Sequence, residues 1–471
     1  MTLDAVELDI KSLRPGYTNG DWTPAEVIRE VYRRIRARGN DFVWSELLDE
    51  RIALDAASRL PPRPDGRLPL YGLPFSVKDN IDVAGMRTSS GCAGFRRFPA
   101  ESAYAVLKAQ AAGAILIGKN TLDQFATGLN GTRSLGGYCR NVFDERFIPG
   151  GSSSGSGVAV AARLVTFSLG SDTGGSGRVP AAMNNIVGVK PTCGLISTRG
   201  MVFNNQSFDC MPVFALNVDD GYRVVEAIRG FDAEDDYSRR DAGDIALNAP
   251  VLSGFTFAVP NPEQLEFFGD EAAREAFDQA VSLLIRAGGV RRQVDFALFL
   301  EAGRIPFASG LLAERLTAYR HVLDESPDTL HPAVKAVLEA GARYCPDDIF
   351  SAIYALNRLR RETGHLMKDF DVLVTPTVAR AYRCDEMEAD PINRNNHMGY
   401  YTYCVNPLDL CALALPASIR PDGIPFGISL IAPAGRDAVL RSIGGCFAAA
   451  VGLRGGLADR RAAGLGTSPK I

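Results

Sequence analysis

The chain has 471 residues, 46% of them hydrophobic and 23% charged, with a net charge of −4. That balance supports a large folded core, and slight acidity without a Lys/Arg block argues against nucleic acid or an anionic membrane as partner. No apolar run is long enough to span a bilayer, and the N-terminus lacks the apolar core of a signal peptide. The nine Cys form no CxxC pair, and the four His, at 321, 331, 365 and 397, form no HxxxH spacing. Reduced thiols in a cytoplasmic protein with neither metal nor cofactor are therefore expected.

In chain order, Thr23 precedes Pro24, Glu26 closes a capping box and Gly39 ends the periodicity, which predicts an amphipathic helix. LPFSVKDNI (73–81) is β-rich and ends in a polar turn. Residues 102–113 read as a helix, followed by the buried strand AILIG (114–118). SGVAVAARLV (156–165) reads as a helix, TFSLGSD (166–172) as a strand entering a loop, and IVGVKPT (186–192) as another strand. This alternation predicts an α/β fold around a central sheet. From about Pro262 to Phe370 the pattern is helical, like a covering layer. FDVLVTPTV (370–378) and PFGISLIAPAG (425–435) return as strands, and residues 436–452 form a last helix against the sheet. The expected organisation is one domain. It has a helical part at about 1–65, an α/β core at about 66–260, a helical layer at about 262–370 and a return to the sheet at about 371–455.

The run IPGGSSSGSG (148–157) fits a linker, a phosphate cradle or the backbone of a catalytic site. Structured flanks weaken the linker reading, and no Gly-Lys-Ser/Thr closes a cradle. GSSSG (151–155) matches GxSxG with Ser153 as nucleophile, but no strand leads into it as a nucleophile elbow requires. A second loop, GSDTGGSGRVPAA (170–182), does follow a strand. The N–H groups of Thr173, Gly174, Gly175 and Ser176 can converge there as a nest, with Ser176 placed to attack a carbonyl; an anion site or a tight turn is the plainer alternative. Lys78 follows an apolar strand, as surface lysines often do. Desolvated near two serine loops, it would instead serve as a base.

Lys78, the GGSS at 150–153 and the DTGGSGR at 172–178 resemble the amidase signature family in order, context and spacing, over nearly the whole chain. The resemblance implies the amidase signature fold, a central mixed twisted β-sheet with helices on both faces. It also implies a Ser-Ser-Lys triad: Ser176 as nucleophile, Ser152 as bridging serine on a cis peptide and Lys78 as base, with the 173–176 loop as oxyanion hole. Ser154 stands where the family usually has Gly.

Stretches 122–134, 183–200, 207–210, 313–315 and 388–391 are similar to the allophanate hydrolase branch, which implies substrate contacts at Ala126, Thr127 and Asn130. Where that branch reads VVPACRSLDC, this chain reads MVFNNQSFDC, so Gln206 replaces the arginine expected to meet a substrate carboxylate, and Asn130 replaces a usual Val. A buried carboxylate needs a cation, and Gln supplies none. The stretch thus resembles guanylurea hydrolases most, with Gln206 facing a neutral or cationic substrate. Guanylurea is the expected substrate, and allophanate and biuret are the alternatives. A small-molecule enzyme acting as a homodimer, without the C-terminal domain many allophanate hydrolases carry, is the expected setting. Membership of a larger amidotransferase assembly is a lesser alternative.

Overall fold

A computed structural model describes residues 3–250 and 252–457. Its centre is an eleven-stranded mixed sheet. The strands are β1 (Trp44–Leu47), β2 (Pro74–Lys78), β3 (Ile115–Asn120), β4 (Phe167–Leu169), β5 (Val187–Lys190), β6 (Val213–Ala215), β7 (Phe255–Pro260), β8 (Gly289–Val294), β9 (Val372–Pro376), β10 (Leu410–Ile419) and β11 (Pro425–Pro433). Their spatial order is β1-β3-β2-β4-β6-β5-β10-β11-β9-β7-β8. β2 lies parallel between β3 and β4, and every one of its residues is buried, as expected for a strand covered on both faces.

Helices cover both faces of the sheet. Val187 and Val189 of β5 face Gly221 in the helix Val218–Ile228, close enough that a Cβ there would lie 2.7 Å from Val189. Between them, a Cβ on Gly188 would lie 2.8 Å from Ala181 in the helix Val179–Met183. Alternate residues of a strand point to opposite faces, so these two helices lie on opposite sides of the sheet.

The predicted helix after Thr23 spans Pro24–Arg38, with the capping box formed and Val27, Ile28, Val31, Tyr32 and Ile35 buried at helical spacing. The predicted strands at 73–81, 166–172, 186–192, 370–378 and 425–435 correspond to β2, β4, β5, β9 and β11.

Other elements depart from the sequence reading. β1 lies in the part read as helical and pairs antiparallel with β3 at the sheet edge. β8 interrupts the layer read as helical, after the helix Glu271–Arg286; its Arg291, Arg292 and Gln293 are exposed, the charged pattern of an edge strand, which masks strand periodicity. The remainder of that layer includes the helices Ala297–Ala308, Ala313–Glu325, Pro332–Gly341 and Pro346–Leu366. Among the described residues, no helix is long and apolar enough to cross a membrane.

Candidate active site

Lys78 ends β2, fully buried. Its Nζ donates to Ser152 Oγ at 2.6 Å and to Ser171 Oγ at 2.8 Å. Ser152 Oγ is 2.7 Å from Ser176 Oγ. The three residues, far apart in sequence, form one hydrogen-bonded line. Burial pulls the Lys78 ammonium down to about 7, against the opposing pull of Asp123, Asp209 and Asp172. Near neutral pH a large fraction of Lys78 is therefore a free amine able to accept a proton.

The composition of the Gly/Ser run follows from close packing. The Gly151–Ser152 peptide is cis. Gly151 N–H donates to the Leu129 carbonyl, and the Ser152 carbonyl accepts from Asp123 N–H. The Asp123 carboxylate gathers the N–H groups of Asn130, Gly131 and Arg133 at 3.2, 3.0 and 2.9 Å. A Cβ on Gly151 would lie 2.1 Å from Asp123 Oδ2 and 2.5 Å from Gly131 N. Gly151→Ala should therefore cost about 3 kcal/mol, visible as a lowered urea midpoint, whereas Gly136→Ala, with open space around it, should leave the midpoint nearly unchanged. Equal midpoints would remove the packing argument. Ser153, the GxSxG candidate, is buried with its Oγ on the Ser171 carbonyl at 3.2 Å, and it does not line the pocket.

The Asp172–Arg178 pair, buried completely, holds the second loop. Arg178 Nη2 and Nε lie 2.9 and 3.0 Å from the two Asp172 oxygens, and Arg178 also donates to Thr402 O and Asn406 Oδ1. Asp172 in turn accepts from Gly175 N–H at 2.9 Å and Gly177 N–H at 2.8 Å. This corrects the expected oxyanion hole: the Gly175 N–H is already taken by Asp172. The N–H groups of Thr173, Gly174 and Ser176, which have no acceptor among the described residues, are the ones left for an incoming carbonyl oxygen.

Ser176 opens into a cavity of about 290 Å³. Ala126 and Thr127, named above as substrate contacts, line it. Asn130 does not. It lies behind the wall, donating through Nδ2 to Asn395 Oδ1 at 3.0 Å, and Asn395 is the lining residue. Gln206 is exposed and outside the cavity. Asp209 accepts from the N–H groups of Asn204 and Asn205, and Glu314 accepts from Ser207 N–H at 2.9 Å. This tight turn faces Asn204 inward and Gln206 outward, so the charge argument built on Gln206 does not hold.

The sequence reading missed the cationic residues of the wall. Arg315, only 4% exposed, comes from the helix Ala313–Glu325 and stacks 4.8 Å from the Phe307 ring. Its Nε donates to Asn205 Oδ1 at 2.6 Å. Burial brings it down to about 10, so it remains charged at neutral pH. Arg133, also buried, donates to Thr127 O at 2.9 Å and Pro391 O at 2.6 Å. The Ala313–Arg315 stretch carried the signal for Arg315, but nothing local in sequence places it beside Ser176.

A family model described as Amidase matches residues 26–440. Saccharomyces cerevisiae urea amidolyase is 38% identical over 395 residues, covering 83% of this chain and 21% of that protein. This chain thus spans about a fifth of its length. One of the subunits of the glutamyl-tRNA(Gln) amidotransferase from an Exiguobacterium species is 32% identical over 88% of this chain and 91% of its own length. Among solved structures, a Kluyveromyces lactis allophanate hydrolase superposes with a TM-score of 0.88 at 33% identity, covering 94% of this chain and 72% of that one.

Proposed function

The chain belongs to the amidase family of amidase-signature hydrolases, and from that premise we propose that it cleaves a terminal carbamoyl C–N bond of a small urea derivative. The observation that carries this reading is the Lys78–Ser152–Ser176 line opening into a small cavity that also holds Arg133, Arg315 and Asn204. With Lys78 neutral, the hydroxyls reorient so that Ser152 gives its proton to Nζ and takes the proton of Ser176. Ser176 Oγ attacks the carbamoyl carbon, and the N–H groups of Thr173, Gly174 and Ser176 receive the oxyanion. One such donor contributes on the order of 3 kcal/mol to the barrier. The proton passes back to the leaving nitrogen and ammonia departs. Water, activated by the same relay, then releases the acyl group.

The substrate's far end has two readings, each with an observation behind it. Arg315, charged and lining the cavity, suits a carboxylate, which makes the substrate allophanate. The similarity to urea amidolyase and to allophanate hydrolase supports the same reading. Asn204 favours guanylurea. Its Nδ2 is committed to Phe125 O and Thr127 Oγ1, leaving Oδ1 as a buried acceptor without a partner among the described residues, matched to an N–H-bearing amidine. Guanylurea would give ammonia and a carboxylated guanidine, which decays to guanidine and CO2.

The test is kcat/KM on allophanate, guanylurea and biuret, in wild type and Arg315→Met. If the arginine holds a carboxylate, allophanate use falls by roughly a hundredfold in the variant, the scale of a buried charge-assisted contact, while guanylurea use is spared. A preference for guanylurea that survives Arg315→Met selects the amidine reading. Gln206→Arg should leave both substrates within about twofold, since that side chain points to solvent. No turnover of any ureido compound would refute the proposed substrate class.

A further inference from the structure

Tyr403 lines the cavity, and its hydroxyl ends a hydrogen-bonded chain whose direction is fixed at the other end. Asn130 Oδ1 accepts from the Thr132 N–H at 2.9 Å and from the Thr132 hydroxyl at 3.0 Å, so its amide nitrogen faces the other way. That Nδ2 donates to Asn395 Oδ1 at 3.0 Å, and the same oxygen takes the Leu129 N–H at 2.8 Å. Two donors on one oxygen fix the Asn395 amide, and its Nδ2 donates to Tyr403 Oη at 3.2 Å. A backbone N–H cannot turn into an acceptor, so the chain runs one way only. The phenol oxygen accepts from Asn395, and its own proton meets no acceptor among the described residues.

The ring that carries this hydroxyl is held in place. It stacks on Phe307 with centroids 4.1 Å apart, and a Cβ on Gly399 would lie 2.2 Å from Tyr403 Cζ. A Cβ on Gly174 would lie 2.8 Å from Tyr403 Cδ1, so the ring also rests against the loop whose N–H groups face the oxyanion. Burial raises the phenol to about 12, over the opposing pull of Arg133 and Arg315, so it keeps its proton at neutral pH. A buried hydroxyl with an unused proton is costly unless something in the cavity accepts it.

We propose that Tyr403 is a substrate-binding residue that donates its phenol proton to a second carbonyl-type oxygen of the substrate, and that Asn130 and Asn395 are the positioning residues that point it. This role rests on the ureido reading of the cavity, in which the first carbonyl oxygen goes to the N–H groups of Thr173, Gly174 and Ser176. A simple amide has no second oxygen and leaves Tyr403 without a partner. Biuret and allophanate carry one, whereas the cationic amidine of guanylurea presents only N–H donors. Tyr403 thus favours a ureido compound with two carbonyl groups, and Asn130 takes part in recognition from behind the wall.

The experiment titrates biuret and propionamide calorimetrically into the whole protein carrying Ser176→Ala, with and without Tyr403→Phe and Asn130→Val. In parallel, kcat and KM for biuret are measured with Ser176 in place. Tyr403→Phe keeps the ring and its stacking and removes only the hydroxyl. It should weaken biuret binding about tenfold, the scale of one buried hydrogen bond, and leave propionamide within about twofold. With Ser176 in place the loss should fall on KM rather than on kcat. Asn130→Val frees the Asn395 amide to turn. It should weaken biuret about threefold by itself and add nothing to Tyr403→Phe. Unchanged biuret binding in Tyr403→Phe, an equal loss on propionamide, or no biuret binding by the Ser176→Ala protein would overturn the donor. Losses that multiply in the double variant would overturn the positioning chain. Biuret binding that depends on Tyr403 without any turnover would refute the hydrolysis of ureido compounds and leave the recognition by Tyr403 standing.

Discussion

Ser176→Ala should lose turnover by at least roughly a thousandfold on whichever ureido compound the wild type uses, with little change in folding. The Oγ of Ser176 meets Ser152 at 2.7 Å and faces the cavity, and no second hydroxyl among the described residues shares both properties. Removing it deletes one buried hydrogen bond, about 1 kcal/mol, so the melting temperature should move by only a few degrees. Steady-state ammonia release and a thermal melt measure the two effects separately. A variant that retains a substantial rate would move the nucleophile elsewhere. Ser153 would be a poor heir, because its hydroxyl is committed to the Ser171 carbonyl and lies outside the pocket.

Lys78→Met should lower kcat by roughly a hundredfold to ten-thousandfold, the usual range for losing a general base. Methionine fills much the same channel as the lysine stem, so the loss reports chemistry more than packing. The pH dependence separates base from scaffold. The amine must be unprotonated to accept the proton, and burial sets its midpoint near pH 7. Wild-type kcat/KM should therefore fall as pH drops through about 7 and level off above it. The residual rate of Lys78→Met should lack that acid limb. A limb of the same midpoint in the variant would assign it to another group, and Asp209, which burial pushes up to about 6, is the one to suspect.

How much of this was legible in the sequence depended on how local each signal was. Lys78 could be read because it ends a β-rich strand before a polar turn and the resemblance aligns it with the family's lysine; β2 delivers it to the site. The 172–178 loop could be read because a strand, glycines and a serine follow one another directly. The choice among Ser152, Ser153 and Ser154 could not be made from spacing; it came from resemblance, and in the structure the path through Gly151 aims Ser152 alone at both partners. Gln206 was misplaced for a related reason. In a tight turn, neighbouring residues face opposite ways, and the turn is set by Asp209 and Glu314, a carboxylate from the same segment and one from a distant helix. Arg315, Phe307 and Asn395 reach the pocket from far along the chain, where only tertiary packing decides what meets Ser176.

The catalytic line lies within residues 78–178, and the wall beyond it draws on that same stretch at 126–133 and on 204, 307–315, 336–340 and 392–403. For protein engineering, substrate range can be searched in the wall while Lys78, Ser152 and Ser176 are left unchanged. Asp209 is one place where line and wall are joined. Its carboxylate takes the Thr173 hydroxyl on the oxyanion side and the Asn204 and Asn205 N–H groups on the wall side. A library that randomises 204 and 205 pulls on the oxyanion loop through that one side chain. Variants selected there for a new substrate would therefore give up rate in proportion to how far they move Asp209.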